Sequence, residues 1–332
     1  MQTGIGLAKE YVKKYAELPT LTIAKMLYKN YNTMFANLGS CRGIVQRARG
    51  VNGSRKRDTT NIVQTRTPEQ IQKALGISAI KPDLVPFKVV DLVGARKWFF
   101  LPDPHIPYHS LEALETAVNH AKKERCDGLA LTGDFVDFYK LSTFVNDPGQ
   151  RSLLGEITMA KKMLYELVRL LKPSKLIWKL GNHEHRLARL LMLKTPELFG
   201  LPFLSFDNIF ELPKLKVDFE VVRSRDLMRY KTLTIGHGDE IGNSSSDYPA
   251  KGVYMRTGAC TYVSHWHRSS TYTTTNIEGD IKTCWSSGCL CQLHPDFAVV
   301  NKWNHGFGIL ETKGKYWEVK NKSIIKGRVF EG

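Results

Sequence analysis

Seven residues of types that hold divalent cations punctuate this chain. They are Asp103 and His105 in Asp-Pro-His, Asp134 in Gly-Asp-Phe-Val-Asp, Asn182 in Gly-Asn-His-Glu, His237 in Gly-His-Gly, and His265 with His267 in Ser-His-Trp-His. A carboxylate can bridge two cations, and imidazole with an amide oxygen completes mixed N/O shells. No thiolate stands at these positions, which favours Mn²⁺, Fe or Zn²⁺ in a reactive centre over a structural cysteine site. Two such ions about 3.5–4 Å apart lower the pKa of a shared water and neutralise the charge that develops on phosphorus during phosphoester hydrolysis. A lone histidine is most often a satisfied core residue. Five ordered groups of donors are not accounted for in that way.

Each group follows a run that reads as a buried strand, at residues 97–101, 129–131, 176–180, 232–235 and 261–263. Between them the spacing predicts helices over 110–122, with Leu111, Leu114, Ala117, Val118 and Ala121 on one face, over 153–171, stopped by Lys172-Pro173, and over 184–193. Strand and helix in alternation is βαβ logic, in which loops at strand C-termini build the site. The last third changes to period two, at residues 270–276, 281–286, 308–311 and 316–319, which predicts a second sheet. Two sheets packed on each other with helices outside give an α/β fold, a four-layer α/β/β/α sandwich.

The chain's 332 residues allow about two domains. No apolar run reaches the roughly 18 residues that span a bilayer, and the N-terminus, with Lys9, Glu10, Lys13 and Lys14, has no signal-peptide core. The expectation is a cytoplasmic protein (host cytoplasm for a phage product) with no membrane partner. The six cysteines, Cys284, Cys289 and Cys291 included, read as reduced core residues because no second Cys-x-x-Cys pair completes a zinc set.

Charge is uneven. Residues 1–66 carry twelve Lys and Arg against three acidic side chains, a net of +9 within a chain total of +16. Three short helices are predicted there, at about 5–16, 22–31 and 40–49. The third carries Arg42, Arg47 and Arg49 on its polar side, and Arg55, Lys56 and Arg57 follow it. The arrangement resembles a helix-turn-helix module whose tail neutralises phosphates, with nucleic acid, DNA first, as the expected partner. The alternative is a solvated basic face on a small helical cap. The expected organisation is a basic helical module at 1–66, a linker at 67–94 and a catalytic domain at 95–332, with oligomeric state left open.

Taken in order, Asp-x-His, Gly-Asp-x-x-Asp, Gly-Asn-His-Glu, Gly-His and a near Gly-His-x-His resemble the calcineurin-like metallophosphoesterase superfamily across about residues 95–270. With the N-terminal helices, the chain is most similar to phage and bacterial proteins described as DNA-repair exonucleases. The resemblance implies that Asp103, His105, Asp134 and His267 hold one metal. It also implies that Asp134, as the bridge, with Asn182, His237 and His265 holds the other. A hydroxide between the ions would attack phosphorus in line, His183 would protonate the leaving oxygen, and Asp137 would orient and charge His183. One position departs from the family pattern, Ser264 standing where glycine usually precedes the first histidine; a left-handed backbone there would be strained.

Arg186 and Arg268 offer bidentate geometry for a substrate phosphate, or else surface ion pairs. His185 reads as solvent-facing or remote from the metals. Tyr108, Tyr139 and Trp266 offer faces for base stacking, though aromatic residues near strand ends more often pack. The loop 242–247 is a candidate border of the cleft. The expected function is a two-metal phosphodiesterase, a DNA nuclease with Mn²⁺ as the foremost metal and Fe or Zn²⁺ as alternatives. A phosphatase or small- or cyclic-nucleotide phosphodiesterase, its basic segment serving localisation or assembly, is the alternative. A DNA-binding regulator with an inactive phosphoesterase scaffold would not need all the ligands, and none is missing here.

Overall fold

A computed structural model describes residues 3–50, 70, 86–143, 152–242, 247–295 and 298–331. The chain divides into two compact units, Met1–Leu84 and Val85–Gly332.

In the first unit, α1 (Gly4–Lys14), α2 (Thr20–Asn30) and α3 (Leu38–Ala48) enclose Leu7, Ala8, Ile23, Ala24, Leu27, Phe35, Cys41 and Val45. The start of α3 is fixed by a capping box: Asn37 Oδ1 accepts from Ser40 N at 2.8 Å while Asn37 N donates to Ser40 Oγ at 3.2 Å. Arg49, grouped by sequence with the nucleic-acid contacts, is engaged internally. Its guanidinium donates to Ala16 O at 3.0 Å, to Thr20 Oγ1 at 3.2 Å and to Leu18 O, closing α3 onto the α1–α2 turn. Arg42 and Arg47 are exposed, and Arg55, Lys56 and Arg57 lie outside the described residues.

The second unit is built on two sheets. The seven-stranded sheet runs β13 (Arg328–Glu331), β12 (Tyr316–Ile325), β11 (His305–Lys313), β2 (Lys97–Leu101), β3 (Gly128–Leu131), β4 (Lys175–Lys179), β5 (Asp218–Val222). Strands β2 to β5 are parallel and the others antiparallel. The six-stranded sheet runs β1 (Val89–Asp91), β6 (Leu227–Tyr230), β7 (Leu233–Ile235), β8 (Thr261–Val263), β10 (Ile281–Ser286), β9 (Ser270–Thr275). Alternation along each strand separates two cores. Phe99, Leu101, Leu129, Leu131, Leu176 and Trp178 face one way, toward α4 (Leu111–Lys123) and α5 (Leu153–Leu171). Trp98, Phe100, Ala130 and Ile177 face the other, meeting Met228, Leu233, Ile235 and Tyr262 from the second sheet. Beyond that sheet, α8 (Pro249–Thr257) contributes Ala250 and Val253 against Val263 and Cys284. The four-layer sandwich follows.

Residues 89–91, assigned by sequence to the 67–94 linker, form strand β1, paired in parallel with β6 through Val89↔Leu227 and Val90↔Met228. Three residues are too few to show periodicity, and Lys88 N donating to Asp226 Oδ1 at 2.8 Å anchors the strand from outside it. Between β4 and β5 lie α6 (His185–Lys194) and α7 (Phe206–Ile209). Among the described residues, no helix is long and apolar enough to cross a membrane.

Candidate metal centre

The parallel strands β2, β3 and β4 of one sheet and the parallel pair β7 and β8 of the other all end at the same edge. Asp103 follows β2, Asp134 follows β3, Asn182 follows β4, His237 follows β7, and His265 and His267 follow β8. The structure brings all seven expected ligands together. Asp134 Oδ2 is central, 3.1 Å from His237 Nε2, 3.7 Å from His105 Nε2 and 3.9 Å from His183 Nε2. His105 Nε2 and His267 Nε2 face each other at 3.2 Å, and His267 Nε2 is 3.6 Å from Asp103 Oδ2. On the other side, His237 Nε2 lies 3.1 Å from Asn182 Oδ1 and 3.2 Å from His265 Nδ1.

The backbone is bent sharply to do this. Asp103, His105, Asp134, His265 and His267 have φ of 43°, 47°, 47°, 65° and 56°, in the left-handed region that disfavours side chains by about 1–3 kcal/mol each. Ser264 is not among the positive-φ residues, so the strain expected at the glycine replacement is absent there, and the left-handed residue is the next one, His265. Its buried Oγ donates to Thr132 O at 2.8 Å, a bond glycine could not make.

Such turns persist only where the surroundings over-determine them, and Glu184 supplies much of that restraint. Its Oε2 accepts from Asp134 N at 2.9 Å and Gly181 N at 2.8 Å, and its Oε1 from Phe135 N at 2.6 Å and Val136 N at 3.0 Å. One buried carboxylate thus ties the Asp134 loop to the Asn182 loop. Gly181 is required for the approach: a Cβ there would stand 2.3 Å from Asp134 Oδ1. Glu184 carries no role in the sequence reading of Gly-Asn-His-Glu; its place two residues after Asn182, at the start of a helix, is the signal that could have marked it.

His183 hangs on Asp137, with Nδ1 2.9 Å from Asp137 O and 3.0 Å from Asp137 Oδ1. Asp137 Oδ1 also meets His105 Nδ1 at 2.9 Å, so one carboxylate orients two rings. Burial would raise Asp137, but the hydrogen bonds from His105 and His183 outweigh it and hold the carboxyl well below its ordinary range. Burial would lower His183, yet the Asp134 and Asp137 carboxylates lift it above the ordinary imidazole value. Arg186 Nη2 lies 3.1 Å from His183 Nε2 and Arg186 Nη1 donates to Asp137 O at 2.9 Å. A guanidinium donates only to an unprotonated Nε2, so that contact and a charged His183 are alternatives.

The remaining candidates are more dispersed. Arg268 Nη1 makes an ion pair with Asp247 at 3.3 Å. His185 is half-buried at the start of α6. Trp266 packs against the Val253 and Val263 cluster, and Tyr108 and Tyr139 pair with ring centroids 6.2 Å apart. Residues 243–246 of the loop lie outside the described residues. Two further residues border the site, Cys291, which the sequence reads as a buried core thiol, and Trp303, which it does not single out. Cys291 Sγ is 3.9 Å from His267 Nδ1, and the Trp303 ring lies edge-on to His267 at 4.2 Å between centroids. Both come from a strand-poor stretch far along the chain, with no local motif to place them beside His267.

The profile of the calcineurin-like phosphoesterases matches residues 98–316, and the chain belongs to that family. No curated protein matches it significantly. Among solved structures it is similar to the Vps29 protein of Cryptosporidium parvum (10% identity, 72% of this chain and 97% of that one, TM-score 0.41). It is also similar to Entamoeba histolytica Vps29 complexed with zinc (11%, 70% and 96%, 0.39) and to YfcE, a phosphoesterase from E. coli (14%, 65% and 88%, 0.32). These likenesses are too partial to add to the family assignment.

The family implies divalent metal ions, and the donors fit them. Burial first, then the charge on His183, lowers His105; burial, then His105, lowers His267. His105 Nδ1 faces the Asp137 carboxylate, which leaves the His105 Nε2 lone pair directed at His267 Nε2, and His267 Nδ1 lies beside the Cys291 thiol. Asp103 is fully buried, its Oδ1 has no hydrogen-bond partner, and burial pushes its carboxyl up to about 8 with the Asp134 charge adding to the rise. Imidazole nitrogens turned toward one another and crowded carboxylates are what cations between them relieve.

Proposed function

We propose that the protein is a two-metal phosphodiesterase acting on nucleic acid, DNA foremost, with Mn²⁺ as the working metal. The observation that carries the reading is Asp134 Oδ2, placed within 4 Å of imidazole nitrogens from His105, His183 and His237. A carboxylate so placed suits a bridge, with Asp103, His105 and His267 completing one site and Asn182, His237 and His265 the other. The cations would supply Lewis acidity and an activated water.

The chain's own residues do the rest. Asp137 holds His183 through Nδ1, with Nε2 against Arg186; once Arg186 turns from that nitrogen to a phosphate oxygen, a protonated Nε2 can give its proton to the leaving oxygen. Arg186, beside that nitrogen, is the guanidinium assigned in this reading to a phosphate oxygen next to the proton donor. Arg42 and Arg47, exposed on α3, supply phosphate contacts that add affinity with little sequence preference.

The test is a substrate panel with Mn²⁺ that compares single-stranded, duplex and branched DNA with RNA, cyclic nucleotides and simple monoesters. DNA cleavage is expected, and His183→Asn is expected to lower kcat by about 10²–10⁴ with Mn²⁺ stoichiometry unchanged. Replacing both Arg42 and Arg47 with Ala should flatten the salt dependence of DNA binding by a slope of about 2. Activity confined to monoesters or small nucleotides, indifferent to those arginines, would establish the phosphatase alternative instead.

A further inference from the structure

Lys179 ends β4, three residues before Asn182, and Glu240 stands three residues after His237. Their side chains meet between the two sheets: Lys179 Nζ lies 3.5 Å from Glu240 Oε1, with the lysine side chain fully buried and the glutamate 10% exposed. Lys179 also donates to Leu180 O at 2.9 Å and Ser224 O at 2.7 Å. Glu240 grips the turn that carries His237, its Oε1 accepting from His237 N at 3.0 Å and its Oε2 from Gly238 N at 2.8 Å. The approach depends on Gly236, where a Cβ would stand 2.5 Å from Glu240 Oε1.

A buried ammonium persists only when paired and hydrogen-bonded, so this pair fixes the distance between two strands from different sheets. Those strands deliver Asn182 and His237, whose side chains meet at 3.1 Å. The opposite side of the centre is held by other means: His105 by Asp137, and His267 beside Cys291 and Trp303.

We propose that Lys179 and Glu240 are positioning residues for one cation site only, the one formed by Asn182, His237 and His265. The inference rests on the two-cation reading above. Buried partners of metal-binding residues change metal affinity about 10–100-fold when removed.

The test is a Mn²⁺ titration of the full chain by calorimetry and electron paramagnetic resonance. It compares the wild type with Lys179→Met, Glu240→Gln and the double variant. One of two Mn²⁺ sites is expected to weaken about 10–100-fold while the other keeps its affinity. Each single variant leaves one buried charge unpaired, so the double variant, which removes both charges, carries the decision, with its melting temperature measured alongside to confirm folding. Two sites at wild-type affinity in the double variant, or equal loss at both, would overturn the inference while leaving the two-cation reading intact. A wild type that binds fewer than two Mn²⁺ would overturn both.

Discussion

Replacing Glu184 by Gln changes one oxygen to an amide nitrogen and removes little volume. In the structure, two backbone N–H groups point at each oxygen: Asp134 and Gly181 at Oε2, Phe135 and Val136 at Oε1. Whichever way the new amide sits, two buried N–H donors face an NH₂ group. An orphaned buried donor costs about 1–3 kcal/mol, so the pair amounts to about 2–6 kcal/mol. One contribution opposes this. Burial, with the neighbouring Asp134 charge, holds the Glu184 carboxyl above its ordinary range, so neutralising it relieves some desolvation. The net destabilisation is therefore expected in the lower half of that span, a large share of the about 5–15 kcal/mol that stabilises an ordinary domain. The assay is urea unfolding of metal-free protein in EDTA, followed by tryptophan fluorescence, with the free energy taken by linear extrapolation. A loss under about 0.5 kcal/mol, within the scatter of ordinary surface substitutions, would show that the four amides find other acceptors and that Glu184 does not hold the two loops.

Two further outcomes follow from the packing and the charges. Gly308→Ala would place a Cβ 2.5 Å from the hydroxyl of Tyr262, which is fully buried against Phe100, and should cost about 1–3 kcal/mol by overpacking; an unchanged melting temperature would refute it. Lys97 Nζ lies 3.1 Å from Glu124 and 2.9 Å from Glu311, and its hydrogen bonds hold both carboxyls below their ordinary 4.5. Depressed carboxylates contribute stability that is present above that value and lost as pH falls through the folded one. The penalty of Lys97→Met, measured by urea unfolding, should accordingly be present at pH 7 and shrink below about pH 4.5; equal penalties at pH 7 and pH 3 would contradict the linkage.

Much of this architecture was legible because strand alternation and ligand type coincide. Strand 261–263 and helix 153–171 emerge at their sequence-derived bounds, since Thr-Tyr-Val is wholly buried and the long helix carries Ala160, Leu164 and Leu167 at helical spacing. Strand β1 was not legible, because its pairing partner lies more than 130 residues away. The seven candidate cation ligands announced themselves by residue type at strand ends. Their supports did not. Glu184, Glu240 and Lys179 act through backbone amides and carbonyls, and a glutamate that caps a loop is indistinguishable in sequence from one that faces water. Arg49 shows the reverse error: beside Arg42 and Arg47 it looks like another phosphate contact, yet three oxygens within its own unit take its guanidinium.

The left-handed turns at Asp103, His105, Asp134, His265 and His267 bear on how fast the centre loads. Asp134 N and His265 N are each tied to a buried carboxylate, that of Glu184 and that of Asp103, so these two turns are set before any ion arrives. A site set in advance leaves the shedding of the ion's water shell as the expected slow step, so ions that exchange water quickly are expected to load ahead of those that hold it tightly.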